Sequence, residues 1–554
     1  MSLQAKQFVR LPEQDVNIRP QDVKSGGLSA PDLVQIADFT LDLRQEELRD
    51  RTGARVDLRQ RSFDVLRHLV KSAGRVVSKD ELLAANWPGL TVTDDSLTQC
   101  VSDIRRVLGE SGRDLVRTVA RRGYMIVLPE QTVRIARDLS AGPTVAVWPV
   151  EANASDDTSH TLADGLTQQI VAALSRFGEL RVLTRNVAKS YKDRFESSAD
   201  IGPALGVDYL VEGNLRKDGE LTRVDIHLSD TRTGAQVWSK TFRVDVNPSN
   251  LLAIQDELSG QASAMIGSYW GAIGAAEYKR IQSKPSSELT PYECIVQGVI
   301  GIPTDATVLE PVAKARECLE RLTRDQPRNA AAWAALVLVF NSQRTWGFPS
   351  STGEIGSVEQ RLYLADLAVE AANRAVEIAP HDAFVRGLVA RAAWMACQPD
   401  LLRIETARAI ELNPNDPQNL GPLGNLMAYA GFWDEGVALA ERGIALTGPS
   451  TPRWWWWALA KRAFAYGDYA KAFDAFRQSY VEQLWISHLH MAYTLPFLDR
   501  TDEAAAHVAT LLRLKPGFTL READAYYKMW CFAPSYREKM CDALRRAGLS
   551  NGEA

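Results

Sequence analysis

No run of apolar residues in this 554-residue chain approaches the roughly eighteen that a membrane-spanning helix needs. The longest, Ala330 to Phe340, has eleven and suits a helix buried in protein. Cysteine and histidine are scarce as well. Cys100, Cys294, Cys318, Cys397, Cys531 and Cys541 show neither a CxxC knuckle nor a disulfide-framework spacing. Zinc ribbons and small stapled folds are therefore excluded, and the six read as reduced, mostly buried thiols. His488 and His490 stand two apart and diverge on a helix, so they make no metal site. Neither sign of charge dominates at a net -5, and any basic surface that meets nucleic acid must be local. Met1 to Pro31 is charged and lacks a signal-peptide core, which leads to the expectation of a flexible arm and a cytoplasmic location. A GxxxxGK phosphate loop, a GxSxG elbow and metal-ligand spacing are also missing. No enzyme, catalytic residue, metal or cofactor is expected.

The chain does contain a local basic cluster. From Leu97 to Tyr124 there are six arginines against three acidic residues. Within it, Leu97, Val101, Ile104 and Leu108 recur at steps of four, three and four and predict one buried stripe of a helix. Thr98, Gln99, Ser102, Arg105 and Arg106 lie off that stripe and can donate to phosphates and base edges. Thr93 is the expected N-cap, Asp94 and Asp95 suit the first turn, and Gly109 ends the helix. The β-prone runs Leu115–Val119 and Tyr124–Val127, joined by Ala120-Arg121-Arg122-Gly123, predict a hairpin. Upstream, Phe63, Leu66, Leu69 and Val70 share one helical face, and Ser78-Lys-Asp-Glu81 reads as a capping box. Val34 to Leu58 alternates short β-prone pieces with polar turns, as a small antiparallel sheet would.

Three of these segments, Val77-Ser-Lys-Asp-Glu-Leu-Leu, Ser96-Leu-Thr-Gln with Ile104-Arg-Arg-Val-Leu-Gly, and Val116-Arg-Thr-Val-Ala-Arg-Arg-Gly-Tyr, resemble the OmpR/PhoB-type winged-helix domain, in particular its CadC/HilA-like branch. The resemblance implies that the helix from Asp94 enters the major groove of promoter DNA and that the wing meets the adjacent minor groove. It also implies that the loop Trp87 to Val92 contacts RNA polymerase. Carried across by position, the DNA-facing residues are Thr98, Gln99, Ser102, Arg105 and Arg106, with Arg121, Arg122 and Tyr124 from the wing. CadC-like relatives send a membrane helix out after this domain, whereas here the link Pro129 to Pro143 is short and polar.

From Thr144 the period changes to α/β. Thr144–Val150 and Leu180–Leu183 read as short strands, Ala163–Phe177 as an amphipathic helix and Asp200–Leu205 as a second. Tyr209–Leu215 and Leu221–Leu228 form a hairpin through Lys217-Asp-Gly-Glu220, and Gln236–Phe242 adds a strand. Ala163-Asp-Gly-Leu, Leu205-Gly-Val-Asp-Tyr-Leu-Val-Glu-Gly and Asp230-Thr-Arg-Thr-Gly resemble the TolB-N/FlgO-like domain.

The C-terminal half repeats. Ile378, Leu412, Leu446 and Leu514 stand 34, 34 and 68 apart, each followed closely by proline (Pro380, Pro414, Pro449, Pro516). Ala375, Ala409 and Gly443 keep the same interval, and Gly431-Phe-Trp433 and Gly467-Asp-Tyr469 fit the tetratricopeptide turn. An insertion is expected over Arg344 to Glu359. Trp454, Trp455, Trp456 and Trp457 on one helix cannot all face inward, so at least one is expected to be exposed, as a weak candidate for partner binding.

The reading is a multidomain α+β and all-α chain: an arm (residues 1–32), a winged helix-turn-helix (33–129), a linker (130–142), a small α/β domain (143–275) and a tetratricopeptide superhelix (289–549). Its expected function is that of a soluble one-component transcription regulator, an activator by analogy, with the later domains taking a signal. Expected partners are double-stranded promoter DNA, RNA polymerase, and a peptide, protein or small effector at the repeat groove. A single winged helix reads few base pairs, which favours a homodimer. The alternative is a repeat scaffold whose winged helix contacts protein.

Overall fold

The alternation from Val34 to Leu58 becomes a four-stranded antiparallel meander in a computed structural model of the chain: β1 (Leu33–Ile36), β2 (Phe39–Asp42), β3 (Glu47–Arg49) and β4 (Arg55–Val56). The structure describes residues 33–126 and 142–552, apart from 37–38, 43–46, 50–54, 73–74, 88–93, 110–114, 120–121, 154–155, 184–201, 203–204, 219–220, 302–309 and 347–357. Ile36, Leu41 and Leu48 point from the sheet into a core with α1 (Gln60–Lys71), α2 (Lys79–Asn86) and α3 (Asp94–Val107). The hairpin β5 (Val116–Val119) and β6 (Gly123–Ile126) closes that core through Val116 and Ile126. Phe63, Leu66, Leu69 and Val70 are buried, as their spacing requires. The capping box is only half formed. Ser78 accepts the Glu81 backbone N–H at 3.1 Å, but the Glu81 carboxylate turns to the Arg75 guanidinium at 2.7 Å. A charge-assisted pair outcompetes a neutral backbone donor for the same oxygens.

The second sheet runs β12 (Ala235–Val244), β11 (Leu221–Asp230), β10 (Tyr209–Asp218), β7 (Thr144–Val147), β9 (Arg181–Val182), with β8 (Glu151–Ala152) pairing to β10. β10 to β12 are antiparallel, whereas β7 lies parallel to both β10 and β9. Apolar side chains of α4 (Asp157–Leu174), α5 (Leu251–Gly267) and α6 (Ala272–Ile281) share one core with the sheet: Ile170, Leu174, Leu258 and Ile273 meet Val145, Tyr209 and Ile226. α4 starts earlier than its apolar spacing indicated because Asp156 caps it, accepting the Ser159 N–H at 2.9 Å. Most of the helix expected over 200–205 and the tip of the turn at 219–220 lie outside the described residues. Tyr209 Oη donates to Glu277 at 2.6 Å, and the partly exposed Arg232 and Arg280 bridge Glu277 to Asp230, so a polar ring with buried acids pins α6 to the sheet.

The remaining helices are α7 (Pro291–Val299), α8 (Glu310–Asp325), α9 (Ala330–Trp346), α10 (Val358–Ile378), α11 (Ala383–Met395), α12 (Pro399–Leu412) and α13 (Pro417–Tyr429). They continue as α14 (Trp433–Thr447), α15 (Trp456–Tyr466), α16 (Tyr469–Gln478), α17 (Trp485–Thr494), α18 (Thr501–Leu514), α19 (Leu520–Met529) and α20 (Pro534–Arg546). They form helical hairpins on one continuous apolar core, and helices end at Ile378, Leu412 and Leu514, the positions that mark the 34-residue interval. Arg344–Trp346 belong to α9 and Val358–Glu359 to α10, which narrows the expected insertion to 347–357, outside the described residues. His488 and His490 do diverge: His488 Nδ1 lies 2.9 Å from His507 Nδ1, whereas His490 stacks on Phe476.

Two expectations need correction. The four tryptophans do not share a helix: Trp454 and Trp455 lie on a 3-10 turn (Arg453–Trp455), and α15 begins at Trp456. The change of pitch buries Trp455 and Trp457 and leaves Trp454 and Trp456 half-buried, so none of the four is fully exposed. Nor are all six cysteines free. Cys294 is joined to Cys318, Cys397 is joined to Cys531, and Cys100 and Cys541 are the free ones. The first pair joins α7 to α8 and the second joins the turns after α11 and α19, at Cα separations of 5.7 and 6.0 Å, and contacts spanning 24 and 134 residues leave no local spacing to read.

Trp455 is seated on glycine. A β-carbon at Gly421 would overlap its indole, and Gly443 lies under the ring edge. Gly421→Ala is expected to destabilise the repeats by about 1–3 kcal/mol through overpacking. Calorimetric unfolding of the full chain should show a lower thermal midpoint, and an unchanged one would contradict this packing.

Candidate nucleic-acid interface

The inner stripe of α3, Leu97, Val101, Ile104 and Leu108, is buried against α1 and the wing. Burying that stripe turns Thr98, Gln99, Ser102 and Arg106 to solvent on the opposite side. Gly109 takes φ +68°, the left-handed geometry that stops a helix. Thr93 and Arg121, both assigned roles from the sequence, lie outside the described residues, as does most of the loop from Trp87 to Val92.

Arg105 has a different task from the one expected. Its Nε donates to the Val116 carbonyl at 2.8 Å and its Nη2 to Thr118 Oγ1 at 2.9 Å, so it ties α3 to β5 and is only half-exposed. Tyr124 is also corrected: its side chain is 5% exposed, and its hydroxyl lies 3.5 Å from Thr98 Oγ1. An aromatic ring on the inward side of a two-stranded wing belongs to the core. Tyr124 thus supports the surface from beneath, and Arg105 braces the wing from a half-exposed position on it.

Asp103, buried at the N-terminal side of Arg106, organises the exposed face. It accepts from Ser62 Oγ at 3.3 Å and Gln99 Nε2 at 3.4 Å, and pairs with Arg106 at 3.4 Å and Arg59 at 3.6 Å. The Arg59 and Arg106 side chains nevertheless remain 74% exposed. One carboxylate thus gathers two guanidinium groups, leaving their outer N–H donors free for phosphate oxygens. Arg117 and Arg122 are exposed on the wing. Arg59 and Arg117 were not singled out from the sequence; Arg59 sits just before α1, far from α3 along the chain. Burial pushes the Cys100 thiol pKa up, so this cysteine behaves as a small apolar group under the helix.

The wing's base is fixed by reciprocal backbone bonds, Val77 N–H to Tyr124 O at 2.8 Å and Tyr124 N–H to Val77 O at 3.0 Å. Gly123 permits this with φ +134°, and a β-carbon there would run into the Val77 carbonyl. Gly123→Ala is expected to cost about 3 kcal/mol, combining backbone strain with displacement of the wing. Thermal unfolding and duplex binding of the full chain should both report it; retention of both would mean the wing base tolerates a side chain.

Comparison with known proteins bears on this surface. Residues 53–126 match the family described as "Transcriptional regulatory protein, C terminal", and residues 141–260 match "HilA/YgeH-like transcriptional regulator, second domain". The chain is 28% identical over 201 residues to the putative adenylate cyclase 3 of Rhizobium meliloti (strain 1021), covering 36% of this chain and 33% of that protein. It is 26% identical over 220 residues to the transcriptional regulator HilA of Salmonella typhi, covering 39% and 38%. To the transcriptional activator CadC of Escherichia coli (strain K12) it is 31% identical over 121 residues, covering 20% and 23%. The alignments thus span less than two-fifths of each relative. Both family matches are to transcription regulators, and both fall on the folded units before the repeats.

Proposed function

We propose that this chain, in which the C-terminal domain type of transcriptional regulators is joined to a HilA-like second domain, is a one-component DNA-binding regulator that places α3 in the major groove of promoter DNA and its wing alongside. The observation that carries the reading is the outward face of α3, where Thr98, Gln99, Ser102 and Arg106 stand beside Arg59 with a basic wing next to them. Clustered cations supply affinity for the backbone, and the polar side chains between them supply base contacts. Residues 33–129 form the DNA-binding unit, 130–142 the linker, 143–275 the α/β unit and 289–549 the repeats. The later units take a signal, a protein partner or a second copy, and the loop near residues 87–92 meets RNA polymerase in an activator. No catalytic step is assigned to the chain. Among the described residues no helix is long and apolar enough to cross a membrane. The proposed compartment is the cytoplasm.

Selection of bound sites from a random duplex pool by the full chain, followed by footprinting, tests the reading. Recovery of a common motif protected by the protein supports it. A pool that emerges without enrichment sinks it and leaves the scaffold alternative.

A further inference from the structure

A cleft of about 600 Å³ separates the α/β unit from the repeats, walled on one side by the start of β12 and by α6, and on the other by the turns leading into α13 and α15. Three indoles line it: Trp238 from β12, Trp270 from the α5–α6 turn and Trp455 from the repeats. The Trp270 and Trp455 rings lie 6.3 Å apart at 40°. Both are held in place. Trp270 Nε1 donates to the Val299 carbonyl at 3.3 Å, and Trp455 sits on Gly421 and Gly443. Gly271 makes the turn possible, since a β-carbon there would crowd the carbonyls of Met265, Ile266 and Ser268.

The polar content of the cleft is sparse and one-sided. Among the described residues that line it, Lys279, exposed on α6, is the single charged one, and none is a carboxylate. Trp455 Nε1 is buried with no acceptor. A buried donor left unpaired is costly, and apolar cavities with a few placed polar groups are the usual form of a small-molecule site. Indole faces favour a flat ring system.

We propose that this cleft binds a planar aromatic monocarboxylate, its ring against the accessible Trp238 and Trp270 side chains, over the floor that buried Trp455 supports, and its carboxylate at Lys279. The assignment rests on the signal-input role proposed above for the later domains and names the chemistry of that signal. A ligand that touches both walls favours the arrangement in which the α/β unit and the repeats are docked, because only that arrangement offers it a complete site.

Isothermal titration calorimetry of the full chain with 2-naphthoate and with neutral 2-naphthalenemethanol tests the proposal. Saturable one-to-one binding of 2-naphthoate is expected, with the alcohol at least about fivefold weaker. Lys279→Gln should remove that preference while leaving the alcohol's affinity unchanged. Ala275→Trp, on an exposed position of α6 facing the cleft, should abolish binding of both compounds without lowering the thermal midpoint. Absence of saturable 2-naphthoate binding, equal affinity for acid and alcohol, or full binding by Ala275→Trp would each overturn it. Duplex binding measured on the same preparations keeps the outcomes separate: a chain that binds DNA but not naphthoate loses this site alone, and a chain that fails on DNA loses the regulator reading.

Discussion

Replacing Arg106 and Arg122 together with alanine is expected to weaken duplex binding by the full chain about tenfold or more at 0.15 M salt, and to reduce the slope of log affinity against log salt by about two. Both guanidinium groups are exposed, one on α3 and one on the wing, and in the proposed docking each would neutralise one phosphate. Counterions released there set the slope, so losing two contacts flattens it, whereas a general loss of folding would change the fraction bound without that signature. Arg105 is left intact because it holds Val116 and Thr118; removing it would combine a loosened wing with a lost charge. Arg75→Ala is the matched control, since its guanidinium is engaged by Glu81 on α2. The pair lowers the Glu81 carboxyl to about 2, an exposed arrangement unrelated to α3. Fluorescence anisotropy at four or five salt concentrations gives affinity and slope together. If the double variant keeps both, phosphate is not met by this face.

Most of the architecture was legible because it is written in short-range periods. The stripe of α3, the alternation of β1 to β4, the turn into β11 and the 34-residue interval of the repeats each depend on residues a few positions apart or one repeat apart. What escaped depends on residues that meet only after folding. Asp103 reaches back to Ser62 and Arg59, and Arg105 reaches forward to Val116, so whether an arginine on α3 is free or tied could not be read from its spacing. The disulfide partners are likewise set by which helices pack. Lys461 is the clearest case: a residue expected on a surface is buried on α15 with its ammonium 4.2 Å from the Tyr429 ring and 5.0 Å from Trp457, and burial pushes its pKa well down. No period marks that position as interior.

A second large effect is expected where the α/β unit meets the repeats, and it is one of pH. Asp382 caps α11 and Asp416 caps α13, accepting the Val385 and Gln418 N–H groups at 3.0 Å each. Gly178, next to Glu179, lies against the Asp382 carboxylate, which brings three acids together at the seam. Burial pushes the Asp416 carboxyl up to about 7 and raises Glu179 and Asp382 too, the capping bonds opposing but not cancelling it. Asn419 Nδ2 also donates to the Asp416 carboxylate at 3.0 Å, and Tyr269 and Tyr292 nearby are themselves raised by burial and by neighbouring acids, Glu179 among them. An acid whose folded pKa exceeds its unfolded value binds more protons when folded, so its contribution is fully present below about pH 4 and is lost as pH rises through the folded pKa. For Asp416 alone the loss amounts to about 4 kcal/mol, at roughly 1.4 kcal/mol per pKa unit. Asn caps a helix nearly as well as Asp and carries no charge. Asp416→Asn should therefore match the parent chain in thermal midpoint only near pH 4 and below, exceed it increasingly from pH 5 through pH 7 and hold a constant margin above pH 8. Calorimetric scans at five pH values measure that difference directly, and it cancels the titration of carboxylates elsewhere. A margin independent of pH would mean that Asp416 is ionised in the folded chain throughout, and that its cap outweighs its burial.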